Sequence, residues 1–584
     1  MSNSPTPPSS SVTSQANAAA QRPIGGVSHV KGLSTPALVT DTIGQLLDKA
    51  VQSSGDREAF VFVEHKVRWT WAQFDAEVNR VAAGLLCLGI EPGDRVGIWS
   101  PNRPEWVLVQ FATARIGAVL VNINPAYRVS ELEYALNKVS VKLLLCARGL
   151  KTADYLAMLR DLAPELNRGV PGQLQLARLP MLRCIVQFTP EHQPGTFTFD
   201  ALFAMAGPVQ VARIAAIGQT LTCHDAINIQ FTSGTTGHPK GATLTHHNVV
   251  NNGRFVANAM RLGEDDRLCV PVPLYHCFGM VLAVLACTSS GSCLVFPAES
   301  FEPVSTLAAV SAERCTALHG VPTMFVAMLG VPNFSQFDLS SLRTGIMAGS
   351  PCPIETMKRV VADMHMPEVT IAYGMTETSP VSFQSDTADS LARRVSTVGR
   401  VQPHLEVKVV DEAGQAVAVG ATGELWTRGY SVMRGYWGDE EKSRDAIVDG
   451  WMRTGDLATI DVQGYCNIVG RLKDMLIRGG ENIYPREIEE FLYSHPAVSE
   501  VQVFGVPDSR YGEEVCAWVV LKAGARVTED ELRDFCKGQI AHYKVPRYVR
   551  LVDSLPMTVT GKAQKFVMRN AMVKELGLVD ARTA

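Results

Sequence analysis

The densest run of chemistry-bearing residues is Thr232-Ser233-Gly234-Thr235-Thr236-Gly237-His238-Pro239-Lys240, closed by Gly241. It follows a strand-like stretch, Ala226-Ile-Asn-Ile-Gln. Glycines at 234, 237 and 241 let a backbone approach an anion closely. Successive N–H groups and the hydroxyls of Thr232, Ser233, Thr235 and Thr236 can line a phosphate nest, and Lys240 adds a point charge. This is not a Walker A loop, because Lys240 precedes Gly241 instead of following a glycine. Most short Ser/Thr/Gly stretches are plain loops; the fixed order of ten residues makes that reading poor here.

Other residues carry chemistry only in context. Glu377, in Tyr373-Gly-Met-Thr376-Glu377, is a hard carboxylate suited to Mg²⁺, which takes one or two carboxylates plus phosphate oxygens; alone it reads as an exposed acidic turn. Tyr373 suits stacking on a planar base, although an isolated tyrosine is more often core. Asp456, in Thr-Gly-Asp, can accept from two ribose hydroxyls as dinucleotide sites do, or simply form a turn. Arg471 offers a fork of donors to ribose or phosphate, or a solvated surface charge. His276 lies in Pro-Leu-Tyr-His-Cys-Phe-Gly-Met, where a core histidine is the plain reading. Gly349-Ser-Pro351 reads as a turn. Lys562 follows a glycine, 22 residues before the C-terminus.

These residues need a scaffold, and the apolar pattern supplies one. Arg95–Trp99, Ala118–Val121 and Lys142–Cys146 are short apolar runs separated by helical stretches at Phe74–Leu85, Glu105–Ile116 and Glu131–Asn137. Such alternation predicts α/β architecture, a mainly parallel sheet with helices on both faces. Asp41 reads as the cap of a helix holding Ile43, Leu46 and Leu47. From 385 to 470 the runs alternate between Gly and Asp turns, predicting an antiparallel or barrel-like subdomain. Beyond it, helices at Ile483–Ser494 and Glu529–Ile540 flank strands at Val501–Val506 and Val515–Leu521, a compact α+β unit. The expected division is a disordered tail over 1–30, a large N-terminal domain over 31–472 and a small C-terminal domain over 473–584.

The chain has 584 residues, 46% apolar and 19% charged, which excludes bulk disorder. Its charge balance, 54 − 58 = −4, gives no basic excess and excludes nucleic acid as the main partner. Thirteen cysteines without a C-x-x-C pair suit a reducing cytosol, hence a cytoplasmic location. The first twenty residues are uncharged and lack both the basic and apolar parts of a signal peptide. Met280–Phe296 is the best membrane candidate, but Thr288-Ser-Ser-Gly-Ser interrupts it, so at most peripheral membrane contact is expected.

Five motifs, in order, resemble those of the adenylate-forming (AMP-binding) superfamily, which includes acyl-CoA synthetases, aryl-CoA ligases, firefly luciferase and peptide-synthetase adenylation domains. They are Thr232–Lys240, Ala372-Tyr-Gly-Met-Thr-Glu-Thr, Trp451-Met-Arg-Thr-Gly-Asp-Leu, Gly470-Arg-Leu-Lys473-Asp, and Pro556-Met-Thr-Val-Thr-Gly-Lys562. Arg478-Gly-Gly-Glu-Asn-Ile-Tyr-Pro and Gly561-Lys-Ala-Gln-Lys-Phe look most like medium-chain fatty acyl-CoA ligases. The resemblance runs from about residue 40 to the end.

The resemblance implies an acid–thiol ligase that joins a carboxylic acid to ATP, then passes the acyl group to coenzyme A, with Mg²⁺ as cofactor. It implies that Thr232–Lys240 holds the β- and γ-phosphates, Thr376 the α-phosphate and Glu377 the Mg²⁺. Tyr373 would stack on adenine, with Gly349 in the loop between adenine and acyl chain. Asp456 would hold the ribose, Arg471 the ribose or a phosphate, and His276 would line the acyl pocket. Lys562 would bridge carboxylate and α-phosphate, Lys473 would be the hinge, and Gly479 and Gly480 would face the pantetheine arm of CoA. Phe278, Met280, Met347, Cys352 and Met375 cluster around these motifs and suit an alkyl chain. Three rivals remain: an aryl-CoA ligase, an adenylation protein loading a carrier in trans, and a non-catalytic sensor.

Overall fold

Apolar runs of four or five residues become fully covered strands. In the computed structural model, which describes residues 21–232, 239–350, 352–478, 481–508, 510–558 and 561–578, Val119–Ile123 and Leu143–Cys146 are buried at every position. They belong to an eight-stranded sheet ordered Phe197–Thr198, Cys184–Gln187, Leu143–Cys146, Arg95–Trp99, Val119–Ile123, Ala226–Thr232, Lys240–Thr245, Gly435–Tyr436. Neighbours are parallel up to Ala226–Thr232; the last two strands are antiparallel. Continuous apolar strands are what a sheet covered on both faces requires.

A second sheet of nine strands is built alike. Its parallel centre runs from Glu368–Gly374 through Thr344–Ala348, Ala317–Gly320, Arg267–Cys269 and Cys293–Phe296 to Glu58–Phe62. The helix His246–Ala259 lies between the sheets, touching Lys240–Thr245 of one and Val381–Gln384 of the other. Thr245 caps it by accepting from Asn248 N at 3.2 Å, filling an otherwise orphaned first-turn donor. Asn252, buried inside, bonds both the N–H and the carbonyl of Val381, fixing helix to sheet.

The antiparallel subdomain has six strands, with Leu405–Val410, Gly423–Gly429 and Trp451–Ile460 at its centre and Cys466–Arg471 off Trp451–Ile460. After a turn at 472–474 comes a five-stranded sheet built on the hairpin Val498–Asp508 and Gly512–Leu521. This C-terminal unit has apolar clusters of its own, around Ile488, Val503 and Leu532 and around Phe504 and Met568. Its helix Pro485–Tyr493 rests against Cys466–Arg471.

Three expectations are corrected. The disordered tail does not extend to 30: Val30 is fully buried and His29–Lys31 pairs antiparallel with Leu405–Val410, an edge whose backbone groups need partners. Gln21 Nε2 also donates to Val401 O at 2.8 Å. Residues 1–20 lie outside the described residues. The first helix is capped by Thr42, reciprocally with Gln45, whereas Asp41 pairs with Lys49 at 2.7 Å. The apolar run at 280–296, by contrast, breaks where expected, a helix ending at Ser290 and a left-handed Gly291 before the strand Cys293–Phe296. The helix from Glu529 ends at Cys536. No single described helix is long and apolar enough to cross a membrane.

Candidate active site

The ends of the two parallel sheets bring the candidate residues together. Thr232 ends the strand Ala226–Thr232, and Tyr373 and Gly374 end Glu368–Gly374. Gly374 is required by space: a Cβ there would sit 1.7 Å from Pro380 O. The chain then turns tightly through Thr376–Thr378, all buried.

Glu377 is 6% exposed, and its Oε1 accepts from Tyr436 OH at 2.9 Å and Thr232 Oγ1 at 3.2 Å. Its carbonyl accepts from Met433 N at 2.9 Å. A buried carboxylate must be paired or coordinated; here two neutral hydroxyls hold it and leave its charge uncompensated by any described cation bond. Lys240 Nζ stands 4.8 Å from the Tyr436 ring centre, within range of the ring's negative face. Thr232 and Lys240, the two ends of the glycine-rich loop, thus meet at Tyr436 and Glu377. Pro239 is held by Tyr134 OH on its carbonyl at 3.2 Å. Ser233, Gly234, Thr235, Thr236, Gly237 and His238 lie outside the described residues, as do Pro351, Gly479 and Gly480.

A second cluster forms where Trp451–Ile460 pairs with Cys466–Arg471, placing Asp456 opposite Arg471. Tyr373 OH donates to Asp456 Oδ2 at 2.5 Å, and Arg471 Nε lies 3.5 Å from Asp456 Oδ1. Burial pushes the Asp456 carboxyl up, opposed by Arg471 and the Tyr373 bond. Burial and Asp456 together push the Tyr373 phenol far up, so it stays a donor.

The third group surrounds His276. Its Nδ1 accepts from Phe278 N at 3.2 Å, which leaves the ring proton on Nε2. Burial, then the nearby Lys562 ammonium, push its pKa down to about 3, so the ring is neutral. Cys277 Sγ lies 3.5 Å from Thr376 Oγ1. Burial drives this thiol up to about 11, which keeps it protonated and poorly nucleophilic. The helix continues through a π-type stretch, Met280–Leu285, buried throughout; such stretches are frequent at functional sites. His319 braces it, with Nε2 on Leu282 O at 3.0 Å and Nδ1 accepting from Ile346 N at 3.2 Å. The Phe278 ring centre lies 5.3 Å from that of His319, one strand away from Met347; Met280 Sδ instead accepts from Gln230 Nε2 at 3.4 Å on the other sheet, and Cys352 Sγ reaches back to Met347 O at 3.4 Å. Gly349 has φ +93° in the loop after that strand.

Lys562 closes the site from the C-terminal domain. Its N–H donates to Thr558 Oγ1 at 3.0 Å and its carbonyl accepts from Thr558 N at 2.7 Å. Gly561 has φ +75°, and a Cβ there would stand 2.9 Å from Val321 Cγ2 of the large domain. The Lys562 side chain is half-buried and feels the charges of Arg471, Asp456 and Glu377; burial, then Arg471, pull its pKa down. Lys473 sits in the turn between the domains, its pKa lowered by burial and then by Lys240 and Arg471.

Sequence reasoning missed Tyr436, Cys277 as a partner of Thr376, and the His319 brace. Only Gly435-Tyr436-Trp437, an aromatic pair after a glycine, offered a local signal. A separate cavity of about 920 Å³, lined in part by Pro92, Leu221, Arg434 and Trp437, shares Tyr436 with this site and includes neither Glu377, Asp456, Arg471, His276 nor Lys562.

Donor chemistry fits Mg²⁺ at Glu377. Among the described residues no group of three His, Cys, Asp or Glu could cage a metal, and Mg²⁺ characteristically takes few protein ligands and completes its shell with phosphate oxygens and water.

Residues 47–437 match the family model described as AMP-binding enzyme, and 487–562 match the AMP-binding enzyme C-terminal domain. The chain is 50% identical to YngI of Bacillus subtilis over 543 residues, 93% of this chain and 99% of that one. It is 48% identical to the mitochondrial medium-chain acyl-CoA ligase ACSF2 of Danio rerio, over 94% of this chain and 91% of the relative. Its fold is similar to the anthranilate CoA ligase AuaEII in complex with anthranoyl-AMP. That structure has a TM-score of 0.81 and 28% identity, over 92% of this chain and 98% of that one.

Proposed function

We propose that this chain, which belongs to the AMP-binding enzyme family, is an ATP-dependent acid–CoA ligase acting on fatty acids of medium chain length. The observation that carries the reading is the Lys562 loop of the small domain, seated at Gly561 against Val321 and Thr323 of the large one, with the lysine in electrostatic reach of Asp456, Arg471 and Glu377. The carboxylate oxygen attacks the α-phosphorus of ATP, the bond to the β-phosphate oxygen breaks, and pyrophosphate leaves. The coenzyme A sulfur, its proton lost, then attacks the acyl carbonyl, and the bond to AMP breaks.

Each residue has a role in this reading. Thr232, Lys240 and the loop between them hold the β- and γ-phosphates. Tyr373 packs on adenine while its hydroxyl orients Asp456, which accepts from the ribose with Arg471 beside it. Thr376 donates to the α-phosphate. Glu377 holds Mg²⁺, which when bound neutralises phosphate charge. Lys562 bridges carboxylate and α-phosphate, two anions that must approach each other, so a fixed ammonium lowers the barrier. Neutral His276 lines the acyl entrance and is not a base. Lys473 is the hinge between the arrangement described here, suited to the first step, and a second that turns Gly479 and Gly480 toward CoA. All thirteen cysteines are free, which supports a reducing compartment, the cytoplasm in our reading.

Phe278, Met280, Met347, Cys352 and Met375 form the acyl wall. Methionine adapts to irregular space, and each buried CH₂ is worth ~0.8 kcal/mol, about fourfold in affinity. In a panel from butyrate to palmitate with benzoate added, scored by CoA-dependent AMP formation, kcat/KM should climb steeply with length and then break where the pocket ends. A flat profile, or a preference for benzoate, would replace the fatty acid by an aryl substrate.

A further inference from the structure

The strand Cys466–Arg471 pairs with Trp451–Ile460, and its first residue, Cys466, also bonds the backbone of Val398 and Gly399. The pairing shifts register, matching Leu457 to Gly470 and Ala458 to Ile468, a bulge of the kind that re-aims backbone groups at a sheet edge. The Ile468 carbonyl accepts from Arg486 Nη1 at 2.7 Å. Ile468 precedes the interdomain turn and belongs to the large domain; Arg486 follows it, on the first turn of the small domain's helix Pro485–Tyr493. Glu490, one helical turn on, accepts from Arg486 Nε at 2.9 Å and holds the guanidinium in place. The same charge is felt at Cys466, on the Ile468 strand, and at Cys352, beside the acyl wall. One side chain therefore crosses the gap that a hinge at Lys473 must open.

We infer that Arg486 is a latch: its bond to the Ile468 carbonyl holds the small domain where Lys562 enters the site, and must break before that domain can turn. Arg486 touches no reacting atom and acts through Lys562, as a positioning residue. A charge-assisted bond to a carbonyl is short and directional, whereas the contacts of the Lys562 loop with the large domain are supplied only once the domain is docked. The latch thus sets the balance between the two arrangements, on which the two-step reading above relies.

The test is a distance measurement in the full-length protein, with spin labels on exposed Cys87 and on an introduced Asp534→Cys. In Arg486→Ala the ratio of docked to turned populations should fall about tenfold, and Arg486→Lys, which keeps a donor, should fall between that variant and the parent. An unchanged distribution in Arg486→Ala overturns the latch. The same variants are then assayed for pyrophosphate release with octanoate and for CoA thiol consumption with supplied octanoyl-AMP. The first rate should fall relative to the second by the same factor. A shifted distribution with an unshifted rate ratio would keep the latch and overturn the assignment of one arrangement to each step.

Discussion

Replacing Lys562 by alanine should slow adenylate formation about a thousandfold while leaving thioester formation from supplied acyl-AMP within about threefold of the parent. The asymmetry follows from where the lysine stands. Its ammonium lies within electrostatic reach of Asp456 and Glu377, and only the first step presses a carboxylate against a phosphate there. The supporting loop, in which the Lys562 backbone bonds Thr558 twice, once at its hydroxyl and once at its N–H, uses no Lys562 side-chain atom and survives the truncation. Burial lowers the Lys562 pKa from the ordinary 10.5. The charged form is lost as pH rises through that lowered value. In the parent, kcat/KM for ATP should therefore fall on the alkaline side before a free lysine would titrate. Equal damage to both half-reactions in a folded variant would remove Lys562 as a step-specific group.

Glu377→Gln should cut the first step about a hundredfold and raise the Mg²⁺ concentration needed for half-maximal rate. Glutamine keeps the shape and can still accept from Tyr436 and Thr232, so the fold around Thr376–Thr378 should stay. What goes is the charge. Excess Mg²⁺ should restore part of the rate in Glu377→Gln and none in Lys562→Ala, which separates a metal-holding carboxylate from the bridging ammonium. A magnesium titration superimposable on the parent's would show that Glu377 is only a brace for Tyr436.

The parts legible in the sequence were those governed by local pattern. Buried parallel strands announce themselves as apolar runs, and Arg95–Trp99 was read without error. Motif residues brought their neighbours with them: Tyr373, Thr376 and Glu377 share one turn, and Asp456 meets Arg471 through a single hairpin. What stayed hidden was non-local. Tyr436 lies 59 residues beyond Glu377 and reaches it only because Gly435–Tyr436 adds an edge strand to Lys240–Thr245. His29–Lys31 has too few residues to carry a strand pattern, and its partner is more than 370 positions away. The His319 brace depends on a π-type stretch whose period no apolar pattern reveals. Arg486 looked like any charged residue in a first helical turn; its bond depends on how two domains dock.

In the proposed reaction one carboxylate, one ATP and one coenzyme A give acyl-CoA, AMP and pyrophosphate. The most direct measurement follows all three products in one reaction of the purified chain with octanoate, ATP, Mg²⁺ and CoA. AMP, pyrophosphate and acyl-CoA should appear in equal amounts, with acyl-AMP accumulating in place of acyl-CoA when CoA is left out. ADP and phosphate as products, or acyl-CoA formed without AMP, would contradict it.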